Sequence, residues 1–82
     1  MNGTIGGYTH ALIDSDSGEL VGVAKNVSQE DFGVIGDVWR FDRDEDEADF
    51  LEHYEVLRLE RADQHVRDLV IYALYERARA VA

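Results

Sequence analysis

Two apolar stretches near the N-terminus predict a β-hairpin. Residues 8–14 alternate between two faces, and residues 20–25 form a second stretch rich in valine and other apolar residues. Between them, residues 14–18 are Asp, Ser and Gly, which favour turns, and Gly18 can adopt a positive φ angle. Residues 1–7 contain Gly3, Gly6 and Gly7, so we expect them to be loosely structured.

After residue 26 the pattern changes and predicts a short helix near residues 28–33. Ser28 suits an N-cap position, and Asp31 follows three residues later, as in a capping box. Val27 and Phe32 have the spacing of a hydrophobic staple, in which the residue before the cap contacts the fourth helical residue. The glycines that follow should keep this helix short.

The middle of the chain predicts a third strand and then an ambiguous segment. Residues 38–42 form the strand, and we expect its two aromatic side chains, Trp39 and Phe41, to lie in the core. Residues 54–60 alternate loosely, which favours a further strand. The competing interpretation is one uninterrupted helix through residues 47–60, because Phe50, Leu51 and Tyr54 could form one helical stripe.

The C-terminal residues predict a long amphipathic helix. Asp63 suits its N-cap, and Arg77 and Arg79 lie near its end, where cations interact favourably with the helix dipole. The apolar stripe consists of Val66, Leu69, Val70, Ala73, Leu74 and Val81. Tyr72 and Tyr75 widen the apolar surface beyond this stripe, so a homodimer contact through the helix is a further prediction.

Together these elements predict one α+β domain spanning residues 1–82. Its antiparallel sheet of 3–4 strands should pack against the long C-terminal helix. The chain contains no Cys, which excludes disulfides and thiol chemistry and is compatible with a reducing cytosol. It also lacks a long apolar run and a basic leader, so we expect a cytoplasmic location without membrane association.

Charge is the unusual feature of the composition. Eighteen acids and eight bases give a net charge of −10, which repels nucleic acids and anionic membranes and attracts basic proteins. Residues 42–55 contain eight acids and one Arg, so they hold −7 of this charge and the other 68 residues hold −3.

The acidic segment has two main interpretations. The first is a solvated loop, because runs of charged residues usually face water. The alternative is a partner-facing patch that competes with nucleic acid for a basic protein groove, with aromatic side chains as apolar anchors. Asp37 and Glu60 could adjoin it. The predicted partner-binding residues are Asp42, Asp44, Glu45, Asp46, Glu47, Asp49, Phe50, Glu52, Tyr54 and Glu55.

Calcium binding is a weaker interpretation of the same residues. Asp42, Asp44 and Asp46 match the first three ligand positions of an EF-hand loop. The match then fails, because Glu47 stands where a Gly is needed and His53 where a bidentate Glu is needed. We therefore predict no dedicated metal site and no cofactor.

The residues give little support to an enzyme. His10, His53 and His65 are isolated from one another, and no serine has the context of a nucleophile elbow. A carboxylate pair could act as acid and base, but exposed acids lack the burial that tunes their pKa values. We predict no catalytic residues.

In size, acidity and absence of a catalytic motif, the chain resembles small inhibitors encoded by phages and mobile elements, including anti-restriction and anti-CRISPR proteins. The resemblance is one of type and covers no defined motif. It implies a non-enzymatic inhibitor acting in the host cytoplasm on a nucleic-acid-binding protein. The alternatives are a halophilic housekeeping domain, acidic for solubility, and an antitoxin-like partner that docks through its C-terminal helix.

Overall fold

The computed structural model of the protein describes residues 3–80, which form an α+β fold as predicted. The five strands lie in one antiparallel sheet in the order β4-β3-β2-β1-β5. In chain order they are β1 (His10–Ile13), β2 (Leu20–Glu30), β3 (Gly33–Arg40), β4 (Glu47–Phe50) and β5 (Glu55–Arg58). Helix α1 (Gln64–Ala80) follows, and 3-10 turns occupy Leu51–His53 and Leu59–Arg61. The sheet thus has one strand more than the upper limit of the prediction.

The N-terminal hairpin is confirmed. His10 pairs with Ala24 and Ala11 with Val23, and the turn between the strands contains Gly18 at φ 75°. Before β1, Ile5 and Tyr8 exchange backbone hydrogen bonds of 3.0 Å in each direction.

The prediction of a short helix near residues 28–33 is wrong. Ser28 pairs with Ile35 in the sheet, and β2 continues to Glu30 before a tight turn leads into β3. Gly33 follows this turn at φ 135°, a conformation that favours glycine. The rings of Phe32 and Phe50 pack edge to face, with their centroids 5.7 Å apart. The capping and staple spacing was present, but ladder hydrogen bonds with β3 override this local preference.

The alternative interpretation, an uninterrupted helix through residues 47–60, is also wrong. Residues 47–50 form edge strand β4, which pairs with β3, and residues 55–58 form β5 at the opposite edge, within the strand predicted for residues 54–60. Residues 51–54 connect the two edges and therefore cross one face of the sheet. Leu51 is buried there, with Tyr54 partly buried beside it.

Helix α1 begins as predicted, since the Asp63 Oδ1 atom accepts a hydrogen bond of 3.0 Å from the Val66 N–H. It covers the other face of the sheet. The core on that face contains Tyr8, Ala11, Val23, Trp39, Leu59 and Val70. The core on the face crossed by residues 51–54 contains Leu12, Ala24, Val38 and Leu51.

Because both faces are covered, consecutive residues in the central strands are buried, as in Ala11 with Leu12 and Val38 with Trp39. Trp39 is buried and Phe41 packs beside it, which confirms that these aromatic residues belong to the core. Within residues 3–80, the helix falls short of the length and apolar character needed to cross a bilayer.

Candidate functional site

Two acidic loops lie at the same end of the sheet. Antiparallel strands reverse direction at each connection, so the β1–β2 loop (residues 14–19) and the β3–β4 loop (residues 41–46) emerge together. With Glu47, the first residue of β4, they form what we call the acidic end. Its carboxylates are Asp14, Asp16, Glu19, Asp42, Asp44, Glu45, Asp46 and Glu47. Arg43 is the only base in these segments, so they carry −7 of the net charge of −10.

Backbone hydrogen bonds order the β1–β2 loop. The Asp14 Oδ1 atom accepts from the N–H groups of Asp16 and Ser17, at 2.8 and 3.0 Å. These bonds, that of Ser17 first, lower the pKa of Asp14 and keep it ionised. Asp16 and Glu19 remain exposed. The ordered β1–β2 loop therefore adds its negative charge to the charge that residues 41–47 carry.

Asp46 has a different environment from the other acids of its loop. Its carboxylate accepts hydrogen bonds from the Tyr8 hydroxyl at 2.5 Å and from Arg77 Nη2 at 2.8 Å, and Lys25 Nζ lies 3.8 Å away. Arg77 also stacks on the ring of Trp39, with its guanidinium carbon 4.4 Å from the centroid. Burial raises the pKa of Asp46, but these donors and cations outweigh it and the net pKa is lowered. Asp46 therefore joins the loop to α1 and is not a free surface charge.

Four other acids of the predicted set remain at the surface of the acidic end. Asp42 contacts Arg40 Nε at 3.4 Å and Glu47 contacts Arg43 Nη1 at 3.3 Å, but both carboxylates are about two-thirds exposed. Pairs this exposed are weak in water. Within residues 3–80, the exposed side chains of Asp44 and Glu45 have no hydrogen bond or ion pair.

The remaining predicted residues are dispersed. Asp49 accepts hydrogen bonds from the Phe50 N–H and the Tyr54 hydroxyl, and Glu52 accepts one of 2.8 Å from the Val34 N–H. These contacts hold β4 and the crossing segment to the sheet. Glu55 is exposed and begins β5 opposite Ile13, next to the acidic end but outside it.

The two proposed neighbours and one proposed aromatic anchor, Phe50, lie apart from the exposed acids, whereas the other anchor, Tyr54, lines a pocket with Glu45. Asp37 accepts a hydrogen bond from Asn26 across the β2–β3 pair, and Glu60 contacts Arg58 after β5. Phe50 contacts Phe32 near the opposite end, and Tyr54 is partly buried beside Arg40.

Two concave regions adjoin the acidic end. A polar pocket of about 240 Å³ lies on the face crossed by residues 51–54 and is lined by Asp14, Arg40, Glu45 and Tyr54 among others. On the helix face, an open groove of about 760 Å³ runs between α1 and the sheet, with Trp39 and Tyr72 in its walls and Glu45 at its margin. Glu45 therefore borders both.

Three acids of this end and the internal role of Arg77 were not predicted from the sequence. Asp14, Asp16 and Glu19 are about 30 positions from residues 42–47, so a window along the chain separates them. The available signal was topological, since recognising residues 47–50 as a strand places both loops together. The proximity of Arg77 to Asp46, 31 residues apart, has no comparable local signal.

Within residues 3–80, no group of three or more His, Asp or Glu side chains is arranged to hold a metal ion. Of the proposed calcium ligands, Asp42 contacts Arg40, whereas Asp46 contacts Arg77 and Lys25 on the helix face. Comparison of the chain with family models, curated proteins and solved structures finds no match.

Proposed function

We propose that this protein is a non-enzymatic inhibitor that binds another protein and blocks its nucleic-acid-binding surface. The observation that carries the proposal is the acidic end, where two loops distant in sequence, with the first residue of β4, combine eight acids with one base. Its partner is a protein whose groove for DNA or RNA is lined by Lys and Arg side chains.

The distribution of charge supports a directed interaction. Outside the acidic end the chain contains ten acids and seven bases, so charge there is nearly balanced. A molecule with its negative charge at one end presents that end to a basic partner during diffusional encounter. Such steering raises the association rate and depends on ionic strength.

The availability of the carboxylates gives further support. Asp16, Glu19, Asp44 and Glu45 are exposed, and within the described residues their carboxylates have no ion pair. They can therefore contact Lys and Arg side chains of a partner without first breaking an internal contact. By contrast, Asp46 and Tyr8, two groups with shifted pKa values, bind each other and Arg77. This arrangement favours a structural role for them over a catalytic one.

The test is competition with nucleic acid on purified targets. A panel of CRISPR effectors and restriction nucleases would be titrated with the protein over a range of KCl concentrations, and displacement of labelled DNA or RNA measured. We expect at least one target to bind with an affinity that falls steeply as salt rises.

Two variants, one at each end of the sheet, test the surface. In the first, Asp16→Asn, Glu19→Gln, Asp44→Asn and Glu45→Gln are combined. In the control, Glu30→Gln and Asp31→Asn remove exposed acids from the β2–β3 turn at the opposite end. The proposal expects weaker binding and a shallower salt dependence for the first variant alone. Equal behaviour of both variants and the wild type would contradict it.

A further inference from the structure

The groove between α1 and the sheet extends beyond the acidic end. Its first section, about 760 Å³, continues into a second of about 520 Å³, and both share Phe41, Tyr72 and Ala73 in their linings. The second section extends towards Leu20 and the first turns of α1. Each section lies within the size range of protein ligand sites, and together they form one elongated depression.

Most of the exposed surface that lines this groove is apolar. Trp39 and Phe41 contribute from the sheet, with their ring centroids 5.1 Å apart. On the helix side, Leu69 is 42% exposed and Tyr72 is 64% exposed. Large apolar side chains left in water beside a concave surface mark an interaction site more often than scattered single residues do.

The margin of the groove is acidic. Glu19 borders its second section, and Asp44, Glu45 and Glu76 border its first. Of the two arginines in its lining, Arg77 is engaged by Asp46, and the four acids outnumber the other, Arg43, which makes only an exposed contact with Glu47. The charge available to a ligand in the groove is therefore negative.

We propose that this groove binds an amphipathic segment of the partner, with apolar side chains on the aromatic floor and Lys or Arg side chains at the acidic margin. The inference rests on the proposed function, which supplies a basic partner, and it adds the apolar contact. Charge pairs in water contribute little each, so an apolar anchor is needed for a stable complex. The acidic margin is complementary to Lys and Arg side chains, and the apolar floor is complementary to apolar ones. Together they favour a basic amphipathic segment over an uncharged or acidic one.

The experiment uses a helical peptide of Lys and Leu residues with a terminal dansyl group. Trp39 is the only Trp of the chain and lies in the groove wall, so energy transfer from Trp39 to dansyl reports binding of the peptide, and the tyrosine variants described next locate it. A Lys and Ser peptide of equal charge is the comparison. We expect the Lys/Leu peptide to bind at least about tenfold more tightly, since it alone can fill the apolar floor.

Two tyrosines of α1 provide a matched pair of variants. Tyr72 lines the groove, whereas Tyr75, which is 59% exposed, does not. Tyr72→Ala should weaken the Lys/Leu peptide by about tenfold, and Tyr75→Ala should leave its affinity within about twofold of wild type. Circular dichroism would verify that both variants keep the helix.

Three results would overturn the inference. The first is equal binding of the two peptides, and the second is an equal effect of Tyr72→Ala and Tyr75→Ala. The third is a protein dimer that Tyr72→Ala dissociates, because a second copy would then occupy the groove. The two proposals can fail separately. Loss of peptide selectivity with intact salt-dependent binding of a target contradicts only the groove proposal, whereas absence of salt-dependent binding to any target, with peptide selectivity retained, contradicts only the proposed function.

Discussion

Asp46 and its neighbours Asp44 and Glu45 belong to one loop but have opposite environments. Asp46 is held by Tyr8 and Arg77 on the helix face of the sheet, with its side chain 22% exposed. Asp44 and Glu45 are exposed, and their carboxylates contact no cation within residues 3–80. One carboxylate stabilises the fold, and the others give the surface its charge.

The difference shows why charge density along a sequence is an incomplete guide to a binding surface. An acid that finds an internal cation gives up its interaction with solvent and partners, whereas an exposed acid keeps both. The loop can remain ordered while it carries repelling charges because Asp46 ties it to α1. The same contact holds the helix beside the groove.

Arg77→Ala should have the largest effect, because it removes the cation from the internal site. Arg77 donates to Asp46 and Tyr8, stacks on Trp39 and contacts the Asp44 carbonyl oxygen. We expect the free energy of unfolding to fall by about 2–3 kcal/mol. The control Arg79→Ala removes a largely exposed arginine from the same helix turn and should cost at most about 0.5 kcal/mol. Urea denaturation at neutral pH measures both, and equal losses would mean that the network around Asp46 contributes no more than a surface pair.

The second prediction compares two Asp→Asn changes two residues apart. Asp46→Asn keeps the shape of the side chain but removes its charge from Arg77 and Lys25, so we expect a loss of about 1–2 kcal/mol. Asp44→Asn should change the free energy of unfolding by no more than about 0.5 kcal/mol, because its carboxylate has no internal cation to lose. Urea denaturation of the two variants side by side would refute the distinction if the Asp44 change proved the more costly.

The sequence allowed prediction of the elements with strong local signals. The N-terminal hairpin, the Trp39 strand and the C-terminal helix follow from periodicity, turn residues and the Asp63 cap, and the structure contains all three. The segment after Val27 failed because its capping spacing fits a helix, whereas pairing of residues 28–30 with residues 33–35 across a tight turn stabilises strands instead. Edge strand β4 was missed for a similar reason. Four residues with two acids have little strand preference until β3 is present to pair with them.

The negative charge of the candidate site could be predicted from the sequence, but only some of its residues could. The acidic residues 42–47 were identified, but the β1–β2 loop that completes the surface was not, since its position depends on strand order. Phe50 and Tyr54 were proposed as anchors because they follow the acids in sequence. In the structure Tyr54 lines a pocket with Glu45, and Trp39, Phe41 and Tyr72 line a groove with Asp44 and Glu45 that only the packing of α1 on the sheet creates.

A pH titration of stability provides the third way to separate the two kinds of carboxylate. The folded-state pKa of Asp46 is lowered from 3.8, so its contribution is complete above that value and is lost as pH falls through the folded pKa. The stability advantage of the wild type over Asp46→Asn should therefore be constant above about pH 5 and shrink towards about pH 3. Protonation of the exposed acids affects both proteins alike and cancels in the difference. Urea midpoints measured across this range test the sign, and an advantage that grows on acidification would contradict it.

The smallest effect concerns the exposed acids, and it is an effect of salt on stability. Asp16, Glu19, Asp44 and Glu45 repel one another, so screening by KCl should stabilise the wild type by about 0.5 kcal/mol, or roughly 2–4 °C in Tm. The variant that neutralises these four residues should respond less, and its Tm at low salt should equal or exceed that of the wild type. Thermal melts of both proteins between dilute buffer and molar KCl measure the difference. A wild type that unfolds without salt would instead favour a halophilic protein, whose acidic surface needs concentrated cations to fold. We expect instead that the protein stays folded at every salt concentration. The Asp46 carboxylate, which holds the loop to α1, is paired with Arg77 and needs no cation from solution.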